Sequence, residues 1–164
     1  MTLQTLNDVY IDQLQDLYSA NRQAQSETEK LAQHAANTDL RAALDRGVKG
    51  IGEGIDTLKE LIRKHNAAPS GDPCKGMEGL VREARSHAIE TAFEDDAVRD
   101  AVIITQYQRM VHYAIAGYGC VAAFARQQGY KQDAEQLQTC LDNTYHGDGE
   151  MSRIAIGEVN QDAR

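Results

Sequence analysis

The chain has 164 residues, a formal net charge of −8 at pH 7 and a sequence pI of about 5.0. Its length is close to the usual size of one domain, so we expect a single domain over residues 1–164. The acidic charge argues against nucleic acid and anionic membranes as partners, because both would repel the protein as a whole.

Apolar residues recur every three or four positions along most of the chain, which is the pattern of amphipathic α-helices. The first predicted helix covers roughly residues 4–35. Its apolar stripe contains Tyr10, Leu14, Leu17, Ala24 and Leu31. Capping oxygens and negative charge at residues 37–39 predict the start of a second helix, which ends at Arg63 and Lys64.

The second predicted helix contains a run of glycines at Gly47, Gly50, Gly52 and Gly54. A glycine costs about 1 kcal/mol relative to alanine inside a helix, so the run forgoes roughly 3 to 4 kcal/mol unless packing compensates. No strand pattern precedes it, which argues against a dinucleotide-binding loop. We interpret the run as a seam of small residues that lets helices pack closely.

Helix must be interrupted over residues 65–73, where Pro69 and Pro73 lie. We interpret this segment as a connection within one domain. Beyond it, residues 74–90 are predicted to form a shorter helix, with apolar residues at helical spacing.

The acidic residues 94–96 open a third long predicted helix, which ends near residue 128. After a turn at residues 129–131, a last helix runs from Asp133 through Ala155. Two helical hairpins joined by a crossover over residues 66–96 are the ferritin-like variant of a four-helix bundle. The sequence therefore predicts an all-α, ferritin-like four-helix bundle whose long crossover contains a short extra helix.

The N-terminus and the cysteines indicate a reducing compartment. The chain begins without a basic segment and apolar run, and no stretch approaches the roughly 18 apolar residues of a membrane span. Cys74, Cys120 and Cys140 are odd in number and far apart, which argues against disulfides and a thiolate zinc site. We expect a cytoplasmic protein with three reduced, mostly buried thiols.

Three segments carry a resemblance to a known family. Residues 17–20, 74–80 and 112–119 read Leu-Tyr-Ser-Ala, Cys-Lys-Gly-Met-Glu-Gly-Leu and His-Tyr-Ala-Ile-Ala-Gly-Tyr-Gly. They resemble the YciE/YciF family of bacterial ferritin-like proteins, and the similarity spans almost the whole chain. The resemblance implies a cytoplasmic four-helix bundle, usually dimeric and associated with stress responses, and it implies no substrate.

A dinuclear iron or manganese centre in such a bundle needs carboxylates and imidazoles from four helices, typically with a Glu-x-x-His pair on two of them. This sequence contains no Glu-x-x-His. Where the resemblance implies acidic residues or histidine, the chain has Asn21, Gly47, Gly50, Gly54, Val111, Ala114, Asn143 and Thr144. We therefore predict a degenerate metal site and no cofactor, with bound iron or manganese as the alternative.

Polar residues still fall on the predicted inner faces of the helices. They are Asn21, Gln108, His112, Thr144 and Asp148, with Glu53 and Tyr145 nearby. We interpret these five as a hydrogen-bonded layer that fixes the register of the bundle, because buried polar groups need partners. In the alternative interpretation, Glu53, His112 and Asp148 hold one divalent ion.

Other groupings give weaker signals. Glu83 with His87 and Asp142 with His146 are four residues apart, as in surface pairs on a helix. Neither a nucleophile elbow nor a phosphate-binding loop occurs in the sequence. Four tyrosines on or after the third long helix fit either an interface or the core. They are Tyr107, Tyr113, Tyr118 and Tyr130.

Two classes of function follow. We favour a noncatalytic, ferritin-like protein that is stress-associated or mediates protein interactions, and we predict no catalytic residues. We expect this protein to form a homodimer, with an unidentified protein as a further candidate partner. The alternative is a metal-binding ferritin-like oxidoreductase or metal-storage protein. Neither class predicts binding to nucleic acid or to a membrane.

Overall fold

Helices account for most of residues 3–163, the part of the chain that the computed structural model describes. In chain order they are α1 (Leu6–His34), α2 (Thr38–Lys64), α3 (Lys75–Ala84), α4 (Asp96–Gln127), α5 (Lys131–Ile154) and the short α6 (Asn160–Asp162). A π-helical turn over Arg85–Ile89 extends α3, and another over Ala155–Val159 joins α5 to α6. This range contains no β-strand, so the predicted all-α class is confirmed.

Side-chain caps determine where three of the long helices begin. Thr5 and Asp8 form a capping box at α1, in which each side chain accepts a hydrogen bond from the backbone N–H of the other. Asn37 and Asp95 cap α2 and α4 by accepting hydrogen bonds from N–H groups of the first turn. Gly129, with a φ of 76°, makes the left-handed turn between α4 and α5.

The four long helices pair as two hairpins. α1 packs antiparallel to α2, and α4 packs antiparallel to α5. α1 also lies beside α4 and α2 beside α5, while the crossover carries the chain along the bundle so that α2 and α4 run parallel across its diagonal. This arrangement confirms the predicted ferritin-like four-helix bundle with an extra helix in its crossover.

A buried aspartate joins the two hairpins at one end of the bundle. Asp100, near the start of α4, is 2% exposed. Its carboxylate accepts hydrogen bonds from the N–H groups of Ala36 and Asn37, at 2.9 and 2.7 Å, in the turn between α1 and α2. The turn of the first hairpin is thereby held by a side chain of the second.

A second buried aspartate joins the hairpins at the opposite end. Asp133, near the start of α5, is fully buried and accepts hydrogen bonds from Lys64 Nζ at 2.6 Å and Tyr10 Oη at 3.1 Å. His65 Nε2 lies 2.7 Å from the same carboxylate. Burial alone would raise the pKa of Asp133, but hydrogen bonds from His65, Lys64 and Tyr10 outweigh burial and lower it.

The apolar core consists of two clusters, one in each half of the bundle. The cluster nearer the α4–α5 turn contains Tyr10, Leu17, Leu58, Tyr118 and Leu137. The cluster nearer the α1–α2 turn contains Leu31, Leu44, Met77, Ile103 and Met151. None of the described helices combines the length and apolar character that crossing a bilayer requires.

Candidate functional site

A cavity of about 300 Å³ lies in the middle of the bundle, and all four long helices contribute to its walls. Its inner wall is built mainly from small and apolar side chains. These are Ala24 of α1, Ala43 and Ile51 of α2, and Met110, Val111 and Ala114 of α4. The polar residues on the wall include Asn21, Thr28, Tyr107 and Thr144.

Glycines on two facing helices help to form this cavity. Gly47 and Gly50 of α2 and Gly147 of α5 line it, so no side chain from these positions fills the space. At Gly50, an added Cβ would meet no atom within 4 Å. The predicted seam of close helix packing is therefore wrong at Gly50, where the missing side chain leaves open space instead.

Gly47 and a further glycine of α2, Gly54, accommodate tyrosines of α4. An added Cβ at Gly47 would lie 2.6 Å from the hydroxyl oxygen of Tyr107, and one at Gly54 would overlap the hydroxyl of Tyr118. Real Cβ atoms do not come this close to a neighbour, so both positions need glycine unless the ring moves. The glycine run thus serves the approach of tyrosine rings from the diagonal helix.

The two tyrosine hydroxyls differ in their hydrogen bonds. Tyr118 accepts a hydrogen bond from Asn21 Nδ2 at 2.8 Å, and both residues are buried. Tyr107 is 4% exposed, and its hydroxyl forms no hydrogen bond with any described residue. Burial raises the pKa of Tyr107 to about 12, with further contributions from the negative charges of Asp148 and Glu150. Tyr107 therefore presents a neutral phenol with an unused donor at the cavity.

The mouth of the cavity lies between α2 and α5. The exposed residues Gly50, Asn143 and His146 line this side. Arg46 of α2 and Glu150 of α5 form an ion pair across the opening, with the arginine side chain 58% exposed and the glutamate side chain 28% exposed. A smaller groove that shares Gly50 and Asn143 continues along the same two helices.

The structure does not gather the five predicted midline residues into one buried layer. Asn21 pairs with Tyr118, and the Thr144 hydroxyl donates to the Cys140 carbonyl of its own helix at 2.7 Å. Gln108 and His112 both contact Asp148, at 3.0 Å each. The prediction that His112 points inward is wrong, since its side chain is 61% exposed.

The three candidate metal ligands also do not converge. His112 and Asp148 touch at the surface between α4 and α5, whereas Glu53 is exposed on α2. Within residues 3–163, no three His, Cys, Asp or Glu side chains are grouped as metal ligands would be. The donor set around the central cavity consists of amide, hydroxyl and phenol groups, with one imidazole, His146, and one carboxylate, Glu150, at the mouth, and this set does not fit two divalent cations.

The other sequence-based expectations have mixed outcomes. Glu83 and His87 form the predicted surface pair at 3.3 Å, but Asp142 accepts a hydrogen bond from Gln138 at 2.8 Å. Tyr107 and Tyr118 are core residues, whereas Tyr113 and Tyr130 are partly buried, so an interface role for these two stays a prediction. Tyr113 donates to Asp16 at 3.2 Å and Tyr130 to Asn7 at 2.9 Å.

The three free cysteines differ in exposure. Cys74 is buried, Cys140 is partly buried and Cys120 is exposed, so the expectation of mostly buried thiols is wrong for Cys120. Burial raises the pKa of both the Cys74 and the Cys140 thiol.

A groove between α1, α2 and the crossover has a positive charge that the net charge of the chain did not reveal. Its walls carry Arg22, Lys30, Lys59, Arg63 and Arg85, and one carboxylate, Glu27. Lys30 and Arg85 both donate to the same oxygen of the buried Glu27, at 3.1 and 3.0 Å. The acidic charge of the whole chain therefore does not describe this face, and absence of nucleic-acid binding stays a prediction.

Sequence reasoning missed Asp100, Asp133 and Tyr107 as individually important residues. Asp133 was recognised only as a helix start, and nothing local to Asp100 indicates that it caps a turn 63 residues away. The sequence could in principle predict that a tyrosine packs against a glycine, because glycines and tyrosines both recur on the predicted inner faces. Assigning Tyr107 to Gly47 requires the relative rotation of two helices that are not adjacent in sequence.

The comparisons with known proteins cover nearly the whole chain. Residues 5–164 match the family described as a domain of unknown function (DUF892). Protein YciF of Escherichia coli (strain K12) is 34% identical over 164 residues, which are 99% of this chain and 98% of that protein.

Solved structures agree with this match. The crystal structure of the E. coli stress protein YciF has a TM-score of 0.90 and 33% identity, covering 97% of this chain and 99% of that chain. YcfI from Rhodopseudomonas palustris, described as a candidate structural protein, has a TM-score of 0.85 and 31% identity, covering 91% of this chain and 94% of that chain. The chain therefore belongs to the YciF-like family described as a domain of unknown function (DUF892).

Proposed function

We propose that this protein is a noncatalytic, ferritin-like, stress-associated protein whose bundle centre no longer holds a dinuclear metal site. The observation that carries the proposal is the wall of the central cavity. Positions that face the space between all four long helices hold glycine, alanine and other apolar residues together with uncharged polar residues, and the charged side chains lie at the mouth. The name stress protein, given to the E. coli relative, supports the stress association.

Charge and ligand chemistry both support a metal-free centre. Two divalent cations require several carboxylates to offset their charge and to replace their water ligands. Around this cavity the acidic residue is Glu150 at the mouth, and it is already paired with Arg46. The wall supplies few strong ligands and little negative charge at the place where both are needed.

One contact favours a second candidate function, binding of a single metal ion. His112 Nε2 lies 3.0 Å from Asp148 Oδ2, so an imidazole and a carboxylate already meet. These two groups would need further ligands from water, because Glu53 lies on another helix and is exposed. We rank this candidate below the metal-free protein for that reason.

Elemental analysis tests the metal proposal. The protein is produced in medium supplemented with iron and manganese, purified without chelator and measured by inductively coupled plasma mass spectrometry. We expect well below one equivalent of either metal per chain and an unfolding midpoint unchanged by EDTA. About two equivalents would overturn the proposal. About one equivalent that disappears in His112→Ala, and persists in a matched surface variant, His87→Ala, would establish the single-ion alternative.

We also propose that the protein forms a homodimer through the exposed face of α5 and the turn that follows it. Tyr145 and Ile156 are large apolar residues with 55% and 72% of their surface exposed. They are eleven residues apart, about three helical turns, and so share one side of the helix. Apolar area that is costly to leave in water supports an interface with a second copy.

Sedimentation velocity at micromolar concentrations tests the dimer. We expect the mass of two chains for the parent and a shift towards one chain in Tyr145→Glu and Ile156→Glu. Val98→Glu is the matched control, since Val98 is also exposed, at 38%, but lies on α4. A parent that is monomeric throughout this concentration range would reject the dimer, and a shift caused equally by Val98→Glu would reject the α5 face.

A further inference from the structure

The central cavity has the size and walls of a small-ligand site. Its volume of about 300 Å³ is about twice that of an engineered apolar cavity that binds benzene. We propose that it binds a small, neutral, mainly apolar molecule with one hydrogen-bond acceptor, which receives a hydrogen bond from Tyr107. This inference rests on the metal-free interior proposed above and adds a ligand class to it.

The walls determine the apolar part of this ligand. Ala43, Met110, Val111 and Ala114 present carbon and sulfur atoms to the cavity from α2 and α4. Methionine adapts its shape readily to an apolar partner, because its side chain is unbranched and polarisable. A ligand with a flat or cyclic hydrocarbon body would cover this apolar wall and would itself be removed from water. Burial of apolar surface on both sides favours binding.

Tyr107 determines the polar part. Its hydroxyl oxygen lies between the two helices at the mouth, where an added Cβ would be 2.6 Å away on Gly47 and 3.9 Å away on Gly147. The residue is 96% buried, as its exposure is 4%, and the hydroxyl donates to no described group. The hydroxyl oxygen borders the cavity and stays within reach of water, so a ligand oxygen placed there replaces water as the acceptor, whereas a ligand without an acceptor leaves the donor unpaired.

Charge disfavours an anionic ligand. Arg46 is paired with Glu150, so no lysine or arginine is left unpaired at the mouth among the described lining residues, and His146 is the other basic side chain there. Negative charge from Asp148 and Glu150 acts on the Tyr107 hydroxyl, and burial keeps the phenol protonated with a pKa of about 12. A carboxylate next to this hydroxyl would be repelled, whereas a ketone or ether oxygen would not.

A path into the cavity lies along the seam between α2 and α5. Gly50 is exposed, and an added Cβ there would meet no atom within 4 Å. The adjoining groove shares Gly50 and Asn143 with the cavity. The opening therefore continues along α2 and α5 beyond the Arg46–Glu150 ion pair. Entry requires at most movement of the exposed side chains of Arg46 and His146.

Three probes of nearly equal size separate these features. Acetophenone carries a ketone oxygen, ethylbenzene lacks it, and benzoate replaces the acetyl group with a charged carboxylate. Isothermal titration calorimetry on the whole 164-residue chain, with its metal content measured, should give one acetophenone site per chain with a dissociation constant below about 1 mM. Acetophenone should bind about three- to tenfold more tightly than ethylbenzene because of one additional hydrogen bond. Benzoate should bind at least about tenfold more weakly than acetophenone.

Variants locate the binding. Tyr107→Phe should remove the preference for acetophenone while ethylbenzene still binds, because only the hydroxyl is lost. Gly147→Leu places a side chain in the cavity and should abolish binding of both neutral probes. Gly149→Leu is the matched control on the same helix, since an added Cβ there would meet only the end of Arg153, at 3.8 Å, within 4 Å. Circular dichroism and thermal unfolding verify that each variant is folded.

Each outcome decides the proposal. Saturable binding that Gly147→Leu blocks, and Gly149→Leu preserves, supports the site. Absence of saturable binding, binding that survives Gly147→Leu, or benzoate binding as tightly as acetophenone overturns it. If Gly147→Leu does not fold, the Tyr107→Phe comparison decides alone, and an unchanged preference for acetophenone overturns the proposal. Metal found in the cavity would instead overturn the metal-free interior, which the elemental analysis reports separately.

Discussion

Two tyrosines of α4 meet glycines of α2 in opposite halves of the bundle, yet their surroundings differ. Tyr118 lies against Gly54, and its hydroxyl is paired with the buried amide of Asn21. Tyr107 lies against Gly47, and its hydroxyl faces a cavity without a partner. The same packing of a ring onto a glycine therefore closes one half of the core and leaves the other open. What differs is that the Asn21 amide reaches the Tyr118 hydroxyl, whereas no described side chain forms a hydrogen bond with the Tyr107 hydroxyl.

The half of the bundle that contains Tyr118 also contains Asp133. Replacement of Asp133 should lower the free energy of unfolding more than any other substitution considered below. Asp133→Asn removes the charge that holds Tyr10, Lys64 and His65 together. We expect a loss of about 3 kcal/mol of unfolding free energy at pH 7, at the low end for a buried pair because Lys64 is 49% exposed. Urea denaturation measures it. The control, Asp96→Asn, breaks a surface pair with Arg99 and should cost less than about 1 kcal/mol.

The cost of Asp133→Asn should also depend on pH. The pKa of Asp133 in the folded protein is below its ordinary value of 3.8, because the hydrogen bonds outweigh the opposing effect of burial. A carboxylate of this kind stabilises the fold above its unfolded pKa and loses that contribution as the pH falls through its folded pKa. The difference between parent and variant should therefore narrow below about pH 4. A difference that stays constant from pH 7 to pH 2.5 would contradict this assignment.

The comparison of the two tyrosines is tested directly by removing each hydroxyl. Tyr118→Phe should cost about 1 to 3 kcal/mol, because the Asn21 amide loses its buried partner. Tyr107→Phe removes a hydroxyl without a partner, so its effect should be close to zero or slightly stabilising. Chemical denaturation of the two variants gives both values, and equal costs would mean that the two halves do not differ as described.

Alanine at the glycines sharpens the same contrast. Gly54→Ala should be destabilising by about 1 to 2 kcal/mol, because the new methyl group overlaps the Tyr118 hydroxyl, which is held by Asn21, and the cost of overpacking exceeds the gain in helix propensity. Gly50→Ala should be stabilising by up to about 1 kcal/mol, since its methyl group meets nothing within 4 Å. Thermal unfolding of both variants measures the signs. A destabilising Gly50→Ala would show that the backbone at the cavity mouth needs glycine for another reason.

A small effect is also expected for His112, which lies at the surface between the two halves. His112→Ala should cost less than about 1 kcal/mol, because an exposed contact between an imidazole and a carboxylate contributes little even when its geometry is good. The loss of unfolding free energy should be smaller than it would be if the same substitution removed a histidine buried in the core. Urea denaturation at pH 6 and pH 8 measures it, and a loss above 2 kcal/mol would restore His112 to a structural role in the core.

The helices and their pairing could be predicted from the sequence, whereas the site could be predicted only in outline. Helical spacing, the caps and Pro69 and Pro73 are local signals, so they located the long helices and the crossover. The prediction for His112 is wrong because α4 is buried over a wide arc, and helical spacing puts residue 108 at the edge of that arc and residue 112 beyond it, on the exposed side. The cavity was not predicted because it depends on how far α4 is rotated relative to α2, which no single helix determines.

The two buried aspartates have a consequence for how the bundle comes apart. Asp100 of the second hairpin binds the turn of the first, and Asp133 binds Tyr10 and the end of α2 at the opposite end. Separating the hairpins at either end would leave the carboxylate of Asp100 or Asp133 without its hydrogen-bond donors while it is still partly shielded from water. Partial opening is therefore unfavourable from both directions. The two hairpins should behave as one cooperative unit, although a cavity of about 300 Å³ leaves open space between them in the middle of the bundle.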